Sequence, residues 1–158
     1  YSLIHKLENA GSEIKINDDT IRLTSNSRLQ TFKNLQTMPY PGFPTDLQSP
    51  MLVMQTISKG TSIIHETVFE ARFKVVTELL KMGAKINVSE RYATVVGVTK
   101  LKPAEVSCPD LRGGAGLVLA GLVAKGKTVI DEIFHVERGY YNLDKNLKSL
   151  GANIDKVD

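Results

Sequence analysis

Ala115-Gly116-Leu117-Val118-Leu119-Ala120-Gly121-Leu122-Val123 runs for nine residues without a polar side chain. Asp110-Leu111-Arg112 stands before it and Lys125-Gly126 closes it. It is far shorter than the roughly 20 residues that a membrane span needs. Read as a helix over 110–125, it is apolar on every face, which predicts burial on every face. Residues 51–54, Met-Leu-Val-Met, are nearly as apolar inside a helix expected over 46–59. The stretch 84–88 alternates in part, as a strand with one wet face does. Together these stretches predict helices inside and sheets outside.

Working outward, the pattern recurs. Asp46-Leu47 opens a stretch that ends at Lys59-Gly60, as Asp110-Leu111 opens one that ends at Lys125-Gly126. Gly60 to Arg72 is twelve positions, and so is Gly126 to Arg138. A second phrase occurs three times, at Leu7-Glu8-Asn9-Ala10-Gly11, Leu79-Leu80-Lys81-Met82-Gly83-Ala84 and Leu147-Lys148-Ser149-Leu150-Gly151-Ala152. Three repeats about a pseudo-threefold axis account for buried helices and outer sheets. The expected division is a partial repeat at 1–30, then repeats at 31–101 and 102–158. The first copy lacks its opening half, so the chain reads as a piece of a longer protein with its function half present.

The element order between these markers is α/β. Helices are expected over 2–10, 46–59, 74–82, 110–125 and 142–150. Strands are expected over 13–17, 20–24, 61–68, 84–88, 92–98, 127–134 and 153–157. Pro39, Pro41, Gly42 and Pro44 make residues 38–45 a stiff loop.

Composition excludes several classes. The chain has 158 residues, enough for one domain with a real core, and a net charge of +3 with scattered basic residues. No aromatic-interleaved basic patch suggests nucleic acid. One cysteine, Cys108, cannot form an internal disulfide. No zinc spacing, phosphate loop or dinucleotide fingerprint is present, and no membrane partner, metal or cofactor is expected. His5, His65 and His135 lie far apart in sequence and suggest no metal site.

Four charged residues stand out. Asp46 precedes a helix, where an acidic residue is ordinarily an N-cap. Arg112 sits in the first turn of the apolar helix beside Gly113 and Gly114. A charge there is costly unless it meets an anion, and the helix N-terminus adds positive potential. Arg138 and Arg72 share one repeat position, so symmetry alone makes both anion sites. The alternative for Arg72 is to brace the loop through Glu66 or Glu70.

Four motifs carry a resemblance. They are Tyr40-Pro41-Gly42-Phe43-Pro44-Thr45-Asp46-Leu47-Gln48, Glu66-Thr67-Val68-Phe69-Glu70-Ala71-Arg72-Phe73, Asp110-Leu111-Arg112-Gly113-Gly114-Ala115 and His135-Val136-Glu137-Arg138-Gly139-Tyr140. In order and over essentially the whole chain, they resemble the UDP-N-acetylglucosamine 1-carboxyvinyltransferases, enolpyruvyl transferases of peptidoglycan synthesis. The chain departs at Ala71, where Asn is usual, and at Tyr141, where an acidic residue is common.

The resemblance implies an inside-out α/β barrel domain of the enolpyruvyl transferase type, with the active site between it and an N-terminal partner domain. It implies a cytoplasmic enzyme that acts on UDP-N-acetylglucosamine and phosphoenolpyruvate, needs no cofactor and is a fosfomycin target. Asp46 is then the general base and touches the sugar nucleotide, as does the backbone of Val68. Arg112 and Arg138 hold phosphoenolpyruvate, whose carboxylate and phosphate suit guanidinium forks. Thr45, Phe69 and Arg72 support the site, with Arg72 as the loop brace. His135 lies near enough to Arg138 in sequence for a supporting hydrogen bond. The family's catalytic cysteine belongs to the other domain, so Cys108 is expected to be a buried thiol without a role. The piece alone is expected to be inactive. Two alternatives stay open: the sister reaction on shikimate 3-phosphate, and a non-catalytic α/β repeat module that binds a protein or nucleotide.

Overall fold

The computed structural model describes residues 1–25 and 27–157. In chain order the elements are α1 (Ser2–Asn9), β1 (Glu13–Ile16), β2 (Ile21–Thr24), β3 (Asn34–Gln36), α2 (Gln48–Ile57), β4 (Thr61–His65), α3 (Val75–Lys81), β5 (Lys85–Ser89), β6 (Tyr92–Val96), β7 (Glu105–Ser107), α4 (Leu111–Val123), β8 (Val129–Asp131), α5 (Phe134–Glu137) and α6 (Leu143–Ser149). Among the described residues three sheets form: the β1-β2 hairpin, a four-stranded sheet in the order β3-β4-β6-β5, and the pair β7-β8. β3 runs parallel to β4 and β7 parallel to β8, so each of the later repeats opens on the same crossover.

The repeat is written in backbone geometry. Each copy of the recurring phrase ends in a glycine with positive φ: Gly11 at 99°, Gly83 at 80° and Gly151 at 94°. The N–H groups of Ser12, Ala84 and Ala152 donate to the carbonyls of Leu7, Leu79 and Leu147 at 3.0, 3.1 and 3.0 Å. The three glycine N–H groups donate to Glu8, Leu80 and Lys148 at 2.8, 3.0 and 3.0 Å. This is one Schellman ending used three times, and a left-handed residue without Cβ is what it requires.

α2 and α4 pack on each other inside, and the sheets lie outside them. Ser62 and Ile64 on β4, and Ala93 and Val95 on β6, face in, while Ile63, Tyr92 and Val96 face out. Met51, Leu52 and Val53 of α2 meet Leu117 and Ala120 of α4 in one core. The all-round burial expected of 115–123 holds only in part. Leu119 and Val123 remain 37% and 43% exposed, because no described element covers the outer flank of the last turns.

Other expectations are corrected too. Helices 46–59 and 110–125 end at Ile57 and Val123, before their glycines, because Ser58 and Ala124 turn extended. Strands 61–68 and 127–134 stop at His65 and Asp131, where pairing stops, and Phe134 opens α5 instead. Residues 153–157 form no strand, since no described strand lies beside them to pair. β3 and β7 were not anticipated. Each is three residues long, too short for a periodic signal. No described helix is long and apolar enough to cross a membrane.

Candidate active site

The Pro-rich loop positions the first functional side chain. Buried Phe43 anchors it, the Met38 N–H donates to the Phe43 carbonyl at 2.9 Å, and the Gly42 N–H donates to the Pro39 carbonyl at 2.8 Å. Pro44 is extended and feeds a 3-10 turn, Thr45–Leu47, that runs into α2. Asp46 therefore lies inside a helical turn rather than ahead of it. Its expected N-cap role is not realised, and its side chain caps neither segment.

The carboxylate instead faces two cations. Arg112 donates from a terminal nitrogen to Asp46 Oδ2 at 2.9 Å, and a terminal nitrogen of Arg72 lies 3.6 Å from Oδ1. The hydrogen bond from Arg112 holds the Asp46 carboxyl below its ordinary value, against the opposing effect of partial burial. The same bond raises Arg112, and Tyr140, whose ring centroid is 5.4 Å from the guanidinium carbon, raises it further. One carboxylate thus lies between two guanidinium groups.

Arg112 reaches this point because of how α4 begins. Asp110 is extended and caps the helix, its Oδ1 accepting from the N–H groups of Arg112 and Gly113 at 2.9 and 2.8 Å. Gly114 lets the first turn approach α5. A Cβ there would stand 2.5 Å from Val136 Cγ2 and 2.9 Å from Cys108 Sγ. Arg138 C-caps α5, which packs against α4, and its exposed side chain makes no hydrogen bond or ion pair among the described residues. The hydrogen bond considered from His135 toward Arg138 is not formed. His135 Nδ1 is buried without a partner, and the ring lies on Phe134 at 4.1 Å.

Arg72 is buried and held on three sides. Its Nε donates to Thr45 Oγ1 at 3.2 Å, its guanidinium lies 4.4 Å above the Phe69 ring, and its far end faces Asp46. It reaches Glu66 only through Thr45, whose hydroxyl donates to Glu66 Oε2 at 3.0 Å, while Glu70 pairs with Arg91. Glu66 Oε1 accepts from Thr37 Oγ1 at 2.7 Å and from the N–H groups of Val68 and Phe69 at 2.9 Å each. The Val68 N–H is thus committed to Glu66.

Sequence reasoning missed two of these residues. Glu66 was considered only as a brace for Arg72, because Thr37 and Thr45 lie 29 and 21 positions away. Its one local signal is a carboxylate two and three residues before the amides it accepts. Tyr140 gave no signal, since its partner Arg112 is on another element. Cys108 is fully buried, and burial followed by Glu132, Asp110 and Asp131 pushes its thiol to about 11, so it is not a ready nucleophile or acid here. Among the described residues no group of His, Cys, Asp and Glu could hold a metal ion.

The chain is similar to known proteins over nearly its whole length. The family model of EPSP synthase (3-phosphoshikimate 1-carboxyvinyltransferase) matches residues 1–147. The UDP-N-acetylglucosamine 1-carboxyvinyltransferase of Thermodesulfovibrio yellowstonii is 49% identical over 156 residues, which is 99% of this chain and 37% of that protein. UDP-N-acetylglucosamine 1-carboxyvinyltransferase 2 of Caldanaerobacter subterraneus subsp. tengcongensis is 48% identical over 155 residues, again 37% of its length. The chain therefore spans little more than a third of these relatives. Among solved structures, the enolpyruvyl transferase NikO from Streptomyces tendae superposes with a TM-score of 0.89 at 27% identity, over 98% of this chain and 36% of that one. The EPSP synthase of Acinetobacter baumannii superposes at 0.66 with 17% identity over 99% of this chain and 36% of its own, a likeness of fold.

Proposed function

Because the chain belongs to the EPSP synthase family of carboxyvinyltransferases, we propose that it is part of an enzyme that moves the enolpyruvyl group of phosphoenolpyruvate to the 3-hydroxyl of UDP-N-acetylglucosamine. The observation that carries this reading is the Asp46–Arg112 contact of 2.9 Å at the end of the Pro-rich loop, with Arg72 on the other carboxylate oxygen. It joins a base to an anion binder. The near-half identity to enzymes of that name supports the sugar nucleotide as acceptor over shikimate 3-phosphate.

The sugar hydroxyl oxygen attacks C2 of phosphoenolpyruvate as C3 takes a proton, giving a tetrahedral adduct. Breaking the C2–O bond to phosphate and losing a proton from C3 then releases the enolpyruvyl ether and inorganic phosphate. Asp46 orients the hydroxyl and accepts its proton. Arg112 and Arg138 hold the carboxylate and phosphate of the donor. Asp46 and Arg112 neutralise one another in the structure. An anion that engages Arg112 draws it off Asp46, and the carboxylate becomes a stronger base as the donor arrives.

The Val68 backbone contacts the sugar nucleotide, while Thr45, Phe69 and Arg72 frame the loop. The acid that protonates C3 is supplied outside this chain, by an N-terminal domain that closes on it, and residues 1–158 form one domain of units 1–30, 31–101 and 102–158. The chemistry is acid–base and electrostatic and calls on no metal or organic cofactor. This reading makes the protein a cytoplasmic enzyme of the first committed step of peptidoglycan synthesis, in the class that fosfomycin inhibits.

The test is product analysis with the complete protein and isotope-labelled phosphoenolpyruvate, offered each acceptor separately. Labelled enolpyruvyl-UDP-N-acetylglucosamine with stoichiometric phosphate is expected. Labelled product only from shikimate 3-phosphate assigns the sister reaction, and transfer to neither acceptor overturns the reading.

A further inference from the structure

We infer that Glu66 is a positioning residue of this site, one buried carboxylate that aims both the Asp46 limb and the Val68 limb; this rests on the function proposed above. Glu66 is 1% exposed. A carboxylate so deeply buried is costly unless its lone pairs are satisfied. Four donors satisfy this one, from Thr37, Thr45, Val68 and Phe69. It accepts from all of them and donates to none.

The two oxygens divide the work. Oε1 takes Thr37 and the amides of Val68 and Phe69, fixing the turn whose backbone is assigned to the sugar nucleotide. Oε2 takes only the Thr45 hydroxyl proton. A hydroxyl has one proton, so once it points to Glu66 a lone pair of Thr45 is turned to Arg72 Nε, at 3.2 Å. That bond and the Phe69 ring set the plane of the Arg72 guanidinium, whose far nitrogen lies 3.6 Å from Asp46 Oδ1. Arg72 can only donate, so what Glu66 fixes is the Thr45 proton, and with it the lone pair that receives Arg72 before the guanidinium meets Asp46 as an ion pair.

A filler of the same shape would not set that direction, which separates the two roles. In Glu66→Gln the amide oxygen can keep the three donors at Oε1. The NH2 then occupies the Oε2 place and donates to Thr45, which holds two N–H donors and must turn its own proton out of the chain. The Val68 limb survives and the Asp46 limb is disturbed.

The experiment is steady-state kinetics on the complete protein for Glu66→Gln, Thr45→Val, Thr45→Ser and the double variant Glu66→Gln/Thr45→Val, with Asp46→Asn in parallel and folding checked by thermal unfolding. Glu66→Gln is expected to lower kcat about tenfold, since small misplacements of a catalytic group cost that much or more. KM for UDP-N-acetylglucosamine should stay within about twofold, as uniform binding is retained. Thr45→Val should reproduce the loss and Thr45→Ser should escape it. The double variant should be no worse than either single one, as members of one chain couple. Independent multiplication of the two losses, or an unchanged kcat in a folded Glu66→Gln protein, overturns the inference. If Glu66→Gln does not fold, the contrast of Thr45→Val with Thr45→Ser decides, and equal activity of those two overturns it. When Asp46→Asn loses activity and Glu66→Gln does not, only the positioning role fails. When Asp46→Asn also retains activity, the base assignment fails with it.

Discussion

Asp46 and Asp110 open equivalent helices, and Arg72 and Arg138 stand at equivalent positions after them, yet each pair has exchanged duties. Asp110 caps α4 and is spent on backbone N–H groups. Asp46 caps nothing and keeps its carboxylate for two arginines. Arg72 is buried under Thr45, Phe69 and Asp46, while Arg138 is exposed and unpaired among the described residues. Two positions after each Asp, α2 carries Gln48, fully buried, and α4 carries Arg112, which crosses to Asp46. One repeat thus gives the paired carboxylate and a buried frame, and the next gives Arg112 and the exposed Arg138. A repeated backbone lets the same position be structural in one copy and chemical in the other, because capping and pairing are alternative uses of one side chain.

The arginine pair offers the sharpest way to break this contrast. In the complete protein, Arg138→Ala should raise KM for phosphoenolpyruvate at least about tenfold, since a charge-assisted bond is worth about 1.5–3 kcal/mol. Its thermal stability should hardly change. Arg72→Ala should instead unfold more easily, by about 1–3 kcal/mol, through the loss of buried bonds. Identical signatures from the two variants would erase the distinction between frame and ligand contact.

Gly114→Ala tests how α4 is placed. The added methyl meets Val136 and Cys108 at closer than contact distance. A loss of about 1–3 kcal/mol in chemical denaturation is expected from such overpacking. Asp110→Ala is milder, about 1 kcal/mol for a lost cap, with turnover per folded molecule little changed. An Asp110 variant that folds normally but loses turnover would show that capping is not its role.

The smallest effect concerns protonation. Removing the Arg112 contact in Arg112→Gln should move the Asp46 carboxyl up towards its ordinary value of 3.8. A carboxyl lowered by folding contributes stability that is fully present above its unfolded value and is lost as pH falls through the folded one. The contribution of the pair should therefore be intact at neutral pH and fade only below about 3.8. Carbon-13 titration of labelled aspartates reads the shift directly, and an unmoved Asp46 resonance would remove Arg112 as its cause.

Much of this was legible in the sequence. The phrase shared by Gly11, Gly83 and Gly151 was legible as a repeat, and all three glycines adopt one positive-φ helix ending. The apolar run of α4 predicted an inner helix, although periodicity gave no sign that Leu119 and Val123 would stay open. β3 and β7 escaped because three residues carry no period. At the site, Asp46, Arg72 and Arg112 were singled out and the structure brings them together, while Arg138 makes no hydrogen bond or ion pair with them among the described residues. Glu66 and Tyr140 were illegible as site residues, since what matters about each is a contact across distant sequence. The N-cap reading of Asp46 erred for a local reason: Pro44 starts the helical turn one residue early.

The most direct test of the account is the single-turnover rate of enolpyruvyl transfer by Asp46→Asn in the complete protein, with both substrates saturating. Loss of the base should slow transfer by at least about a hundredfold while both substrates still bind. A rate within about twofold of the parent would show that Asp46, freed from capping, is not the group that takes the proton.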